Sequence, residues 1–594
     1  MSESISESAL SALLSLLSLF TAAYMLVKKT ATNIGWNSLD GLLLLLFTFS
    51  CLQSMATATN LLSWWQDMTV EGSIAAVYFL VRYYEASGLI TFRHIFFSLL
   101  CWGCLQVLTG WLQVTGVCLS GYDNGEATGC FLNPAPYAIC LGTLLPFMYR
   151  PLFLKQRGKY RVPCIFLSAV LSIAAIGLIV RSGSRAACVA VCSSLLVCLL
   201  PALRTSGIRR WLNGRWRYLI ASFTPLLLVF ACFLVYAIRP ASANGRAHIW
   251  AIAGRMACHH WFLGTGPKGF SGAFLEAQSA YLAVPAHSSG ALFLTSGVRY
   301  AFNDWLQLAC ERGILILLVA IVLAGGILTL LCRTIFSPAP SSPDNPTDRA
   351  QSHPKAPLVY VASALTVLFV ASLFSYPMCT LPLRVLLMIL LAVVARHAGT
   401  PGDRRPHIVF SPAIIRITIA MIFFSGMACC LFSLLQLREY RQFYAVNLDA
   451  PYDEPPAARA GALQHFSRLL HAELYYQQPL VKALEDAGDR NGEQTVLEEE
   501  MRLFPEPEGL CRLATLYGLT GHLQEEEALY FSTGRAFPLL LRPDFCLARF
   551  YYSHGDRLRG RYYAQKVLSK EPKVTNSAVA IMRSSAQALL RLDN

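Results

Sequence analysis

Between residues 9 and 436 about twelve apolar runs follow one another, and nothing else in the chain constrains its fold as tightly. Each run approaches the ~20 residues an α-helix needs to cross ~30 Å of hydrocarbon. The expected spans are 9–27, 39–56, 71–86, 92–113, 134–149, 162–180, 186–203, 218–237, 313–332, 358–376, 381–395 and 410–436, of which the third, fifth and eleventh are short. Composition agrees: 55% of the residues are hydrophobic and 14% charged, against about 25% charged in a soluble domain. That balance excludes a disordered chain, a small disulfide scaffold and a soluble nucleic-acid binder. No cleavable signal peptide is expected, because a basic leader is missing and Lys28-Lys29 follow the first run.

Charge divides the chain after Leu437. Residues 1–437 hold 30 basic and 14 acidic side chains, residues 438–594 hold 19 and 21. The basic excess sits in short loops between apolar runs, which is the signature of membrane topology rather than of nucleic-acid binding. Loops 150–161 and 204–217 carry five Lys or Arg each, whereas 57–70 and 114–133 carry none. The positive-inside rule therefore puts 28–38, 150–161, 204–217, 333–357 and 396–406 in the cytoplasm. The N-terminus, the loop 238–312 and residues 438–594 are expected outside.

Residues 438–594 are polar and helical in pattern. Ala514, Tyr517, Gly521 and Pro538 recur, displaced by 34, as Ala548, Tyr551, Gly555 and Pro572; Gly488 and Pro505 suggest a degenerate earlier copy. This period, with small, aromatic, Gly and Pro residues in that order, resembles the tetratricopeptide repeat. The expected fold class is therefore all-α: a polytopic membrane bundle of about twelve helices over 1–437, and a C-terminal α-helical repeat domain over 438–594.

Most of the polar residues of the membrane part crowd into the loop 238–312 and the span ends that face it. Long ordered loops of this kind are usually functional. The surrounding patches are TGCFLNPAPYA (128–138), RSGSRAA (181–187), NGRAHIW (244–250), HHWFLGTGPKGF (259–270) and AFNDWLQLACERG (301–313), with FSYP at 374–377 in the next external turn. The GTGPKG stretch has no GK[ST] and no strand–helix unit around it, so it reads as a tight turn and not a nucleotide loop. Cys101 and Cys104 lie inside a span, without the context of a redox motif. Cys118 and Cys130 share an external loop and are candidates to pair.

Together these patches resemble the O-antigen ligase and polymerase superfamily, which includes bacterial protein O-oligosaccharyltransferases. The elements that carry the likeness are Cys130-Phe131 with Asn133-Pro134, Ser184-Arg185-Ala186, Gly245-Arg246 with Trp250, and His260 with Gly264, Gly266, Pro267 and Phe270. Asn303 with Leu306, Glu311 and Gly313 completes them. The likeness covers roughly 120–395. It implies a bacterial inner-membrane enzyme with no cofactor and no catalytic metal. Such an enzyme moves a saccharide from an undecaprenyl-diphosphate carrier to a hydroxyl, on lipid A-core sugar or on protein Ser/Thr, and works on the periplasmic side.

The residues make chemical sense of that reading. A lipid-diphosphate leaving group requires permanent cations near the interface, and arginine forks bind phosphate oxygens bidentately. Arg185 and Arg246 are the first candidates, with His287, Asn303 and Glu311 as further catalytic candidates. Arg181, His260, Trp250 and Asn133 are candidate substrate-binding residues. Where many members of the superfamily have His before the Asn, this chain has Phe302, so the base that helps the acceptor attack is unassigned. The C-terminal repeats suggest a protein partner. The rival readings are a polymerase that joins repeat units, a polysaccharide transporter and a non-enzymatic scaffold.

Overall fold

The computed structural model describes residues 3–28, 37–58, 61–117, 126–131, 133–153, 161–205, 240–283, 295, 297–336, 355–398, 412–449, 455–466, 474–572 and 576–591. Among these residues the chain is all-α, with 21 α-helices, one short 3-10 turn at Pro377–Cys379 and no strand. The membrane part comprises α1 (Glu3–Lys28), α2 (Ser38–Thr57), α3 (Leu61–Ala86), α4 (Phe92–Val114), α5 (Pro134–Phe153), α6 (Arg161–Arg181) and α7 (Arg185–Thr205). It continues with α8 (Pro240–His259), α9 (Phe270–Leu282), α10 (Asp304–Phe336), α11 (Lys355–Phe374), α12 (Leu381–Ala398) and α13 (Pro412–Asp449). Eleven of the twelve expected spans fall on these helices; 218–237 lies outside the described residues. Among the described residues four helices are long and apolar enough to cross a membrane: Ser38–Thr57, Phe92–Val114, Val162–Arg181 and Asp304–Cys332.

Two of the short runs have a physical explanation. From Pro136 to Tyr149 every side chain of α5 is buried, and α12 is buried on most of its surface from Leu386 onward. Both helices pack among other helices rather than against lipid: α5 is enclosed by α4, α6, α7 and α11. A helix that is apolar all round is a core element.

An ionic cluster ties α2 and α3 to α10. Arg312 donates to Gln53 Oε1 (3.1 Å), Ser54 Oγ (2.6 Å) and Glu71 Oε1 (3.2 Å), and lies 3.4 Å from Asp67. Arg384 Nη2 takes the other oxygen of Glu71 at 2.6 Å. α10 breaks immediately afterwards, at Gly313 with φ 78°.

The apolar composition stops at Leu437, but α13 runs on to Asp449. Its Tyr440 and Phe443 pack against Leu463 of α14 (Pro456–Gln464) and Leu480 of α15 (Leu474–Ala487). Beyond them come α16 (Arg490–Leu503), α17 (Pro507–Leu519), α18 (Leu523–Ala536), α19 (Leu541–Ser553), α20 (Arg557–Ser569) and α21 (Ser577–Arg591). The pairs α15/α16, α17/α18 and α19/α20 each turn on a left-handed glycine: Gly488, Gly521 and Gly555. Ala514 and Ala548, one repeat apart, are fully buried.

The loop helix α9 packs against this C-terminal array. Leu275 joins the cluster of Leu497, Met501 and Phe537, and Gln278 Nε2 donates to Ala536 O at 2.9 Å. A side chain at Gly272 would run into the carbonyl of Arg502. The loop and the C-terminal array therefore lie on the same side of the helical bundle.

Candidate active site

The segment GRAHIW forms the middle of α8, which holds Arg246 at the junction of three elements. Its Nη1 donates to Phe374 O at the end of α11 (2.8 Å), and its guanidinium carbon stands 5.4 Å from the centre of the Phe302 ring. Burial and then the nearby positive charge of Arg185 push its pKa below the usual arginine value. Arg185 is the first residue of α7. The turn Ser182-Gly183-Ser184 places it there, with Ser184 Oγ accepting from Ala187 N (3.4 Å) as a cap. A cation at a helix N-terminus adds to the positive end of the helix dipole, and the combination suits an anion.

Residues 300–304 form the third wall. Phe302 has φ +53°, an uncommon backbone for a bulky side chain. Its ring meets Tyr376 edge-on at 5.4 Å, and Tyr376 stacks on Tyr300 with centroids 4.3 Å apart and planes 8° from parallel. Trp250, one turn beyond Arg246, donates from Nε1 to Ala301 O (2.9 Å). Asn303 Oδ1 accepts from Leu306 N (3.0 Å), so its side chain caps α10. Asp304, buried, accepts from Met378 N (3.1 Å) and pins the turn that follows Tyr376.

The remaining candidates lie elsewhere. Glu311 accepts from Gln307 Nε2 at 3.2 Å, one turn along the same helix, beside Arg312. His260 is exposed just past α8, and its carbonyl accepts from Gly264 N (2.9 Å). The segment it begins is stitched to the break in α10: Thr265 N donates to Cys310 O (2.8 Å), Gly266 N to Glu311 O (3.0 Å) and Ile314 N to Trp261 O (2.8 Å). Arg181 is exposed at the end of α6. Asn133 caps α5 through Ala135 N (3.0 Å). His287 and Cys118 lie outside the described residues, and Cys130 is a free thiol that accepts from Gln106 Nε2 (3.1 Å).

The structure thus gathers Arg185, Arg246, Trp250 and Asn303 around one aromatic corner. Sequence reasoning missed Asp304, Tyr300 and Arg312. The first lies next to a residue it did choose, and the FSYP patch held the only hint of the stacked tyrosines. Among the described residues no group of three or more His, Cys, Asp or Glu is placed to hold a metal ion. Residues 169–321 match a protein-family model described as O-antigen ligase. The matched stretch includes Arg181, Arg185, Arg246, Trp250, His260, Asn303 and Glu311 and excludes Asn133. No curated protein and no solved structure matches the chain.

Proposed function

We infer that this chain, which carries the O-antigen ligase domain in residues 169–321, transfers a saccharide from an undecaprenyl-diphosphate carrier to a hydroxyl acceptor. The observation that supports this reading is the approach of Arg246 to Arg185, the first residue of α7, near enough for the charge of Arg185 to lower the pKa of Arg246. Such an arrangement raises the local positive potential ahead of any ligand and matches the charge that grows on a diphosphate leaving group. Preorganised donors of this kind are worth about 10²–10³ in rate each.

In the proposed reaction the acceptor oxygen attacks the anomeric carbon from the face opposite the diphosphate, inverting it. The bond to the diphosphate oxygen breaks as the new glycosidic bond forms. Phe302 has no atom that accepts a proton, so the base lies elsewhere, and His287 on the same loop is our choice. The acceptor is lipid A-core sugar or a protein hydroxyl, reached from the periplasmic side of the inner membrane. The packing of α9 on the C-terminal helices favours a ligase over a polymerase, because a helical-repeat surface fixed to the catalytic loop suits recruitment of a large acceptor.

The test is transfer of a labelled glycan from its lipid diphosphate by purified protein in lipid–detergent micelles. Arg185→Ala and Arg246→Ala should each lose on the order of 10²-fold or more in rate while remaining folded. Retained transfer would refute the site. Lipopolysaccharide, glycoprotein and polymer-length profiles of a deletion strain separate ligase from polymerase.

A further inference from the structure

Of the 19 cysteines, 17 precede Leu437, and most of those lie in apolar runs, where Cys behaves as a small hydrophobe. Residues 438–594 hold two, Cys511 in α17 and Cys546 in α19, 35 positions apart. α17 and α19 are the first helices of two successive repeats and pack directly against each other. Cys511 is 1% exposed in the cluster formed by Ala514, Tyr530, Leu547 and Ala548, and Cys546, half-buried, packs against the same cluster. Their side chains meet there, and a hydrogen bond joins the two thiols. The stretch between them, 511–546, contains the whole of α18. Within that stretch lie Ala536, whose carbonyl accepts from Gln278 Nε2, and Phe537, which packs with Leu275. A link between the two sulfurs therefore closes a ring around the seat of α9.

We propose that Cys511 and Cys546 form a disulfide in the mature protein, which locks α17 to α19 around the helix that seats α9. The proposal rests on the reading that residues 438–594 face the periplasm, where disulfides form and persist. The oxidant is the disulfide of a thiol–disulfide oxidoreductase. Cys546, the more exposed of the two, starts the exchange. It accepts the hydrogen bond of Cys511 and lies near Arg542 and Arg549, which together hold its pKa below the usual thiol value despite burial. The same hydrogen bond, and then burial, push Cys511 up. The Cys546 thiolate attacks one sulfur of the donor's disulfide, whose S–S bond breaks, and the other donor sulfur leaves as a thiolate. Cys511, on losing its proton, then attacks Cys546 Sγ and expels the first donor sulfur. The two sulfurs of this chain are oxidised, the two donor sulfurs are reduced, and both protons end on the donor's thiols. Closing the ring removes chain entropy from the opened array, so α18 and the seat it offers open less often.

The experiment takes the full chain from cells with an oxidising periplasm, quenches it in acid, alkylates it with N-ethylmaleimide and digests it without reductant. Peptide mass spectrometry should find the Cys511 and Cys546 peptides joined to each other. Recovery of both cysteines as maleimide adducts would overturn the proposal. Treating the purified protein with oxidised glutathione then locates the fault: ready cross-linking means that the array faces the reducing side, and no cross-linking means that the thiols do not meet. Amide hydrogen exchange of α18 in the full chain gives a second readout. Reductant should speed it at least tenfold in the parent and leave it unchanged in the double variant Cys511→Ala, Cys546→Ala. An unchanged rate in the parent would refute the lock. Full glycan transfer by Arg246→Ala would instead bring down the catalytic reading and leave the cross-link standing, so the two failures are distinguishable.

Discussion

Replacing Gly264 by alanine tests how the segment after α8 is held. Gly264 has φ +70°, and a Cβ there would lie 2.7 Å from Arg312 N and nearer still to the carbonyl of Glu311. Those are backbone atoms of α10, so no rotamer change relieves the overlap. The left-handed conformation alone costs an L-residue about 1–2 kcal/mol. To escape the clash, residues 261–266 must lift off α10, which breaks the bonds from Thr265 N to Cys310 O and from Gly266 N to Glu311 O. At ~0.5–1.5 kcal/mol net for each bond, the total loss is about 2–5 kcal/mol. Gly254→Ala is the control: it sits ten residues away inside α8 with open space around it, and there alanine gains about 0.5–1 kcal/mol over glycine. Thermal unfolding of the purified protein in lipid–detergent micelles, followed by tryptophan fluorescence, should show a lowered Tm for Gly264→Ala only. Glycan transfer should fall with it, since the same segment leads into α9 and back from α8. A Gly264→Ala protein with the parent's Tm would refute the backbone contact on which the argument depends.

Two further outcomes follow from buried charge. Arg312→Met leaves Glu71 with Arg384 alone and Asp67 with only the Ser54 hydroxyl, so it should cost about 3–5 kcal/mol in the same unfolding assay; pairing it with Asp67→Asn should recover part of that loss, and no recovery would count against the pairing. Burial first, and then its neighbour Glu506, raises the pKa of Glu500 in α16. The folded state therefore keeps a proton that the unfolded chain has released, and the group weakens the fold at about pH 7 but not below the ordinary glutamate value of ~4.3. Glu500→Gln should accordingly raise Tm near neutrality and match the parent at acid pH; an equal Tm at neutrality would contradict the burial.

The helices of the membrane part were legible because lipid imposes length and apolarity locally, and a run such as 313–332 states both. The helix turns of the C-terminal array were legible for a similar reason, since glycines 33 and 34 residues apart mark successive corners. Arg185 and Arg246 were singled out by motif resemblance and by the chemistry that a diphosphate demands, and the fold brings them near each other although 61 positions separate them. What escaped notice is set by packing between distant segments. Arg312 looks like one more charge at a span end until Asp67 and Glu71 arrive from α3. Asp304 looks like a helix-capping acid until the turn at 377–379 closes on it. The division after Leu437 was placed where the solvent changes, and the backbone takes no notice of that: α13 crosses it unbroken because water and lipid support the same helical hydrogen bonds.

The seating of α9 has a consequence in time. Gln278 and its acceptor Ala536 are 258 residues apart in the chain, and at a synthesis rate of ~5–20 residues per second the second follows the first by tens of seconds. During that interval α9 rests on α8 and α10 alone, and Leu275 stays uncovered until α16 and α18 have been made. Seating of α9 on the C-terminal helices therefore belongs to the last stage of biogenesis, and a ribosome that stops early releases a membrane part whose loop is held by α8 and α10 alone.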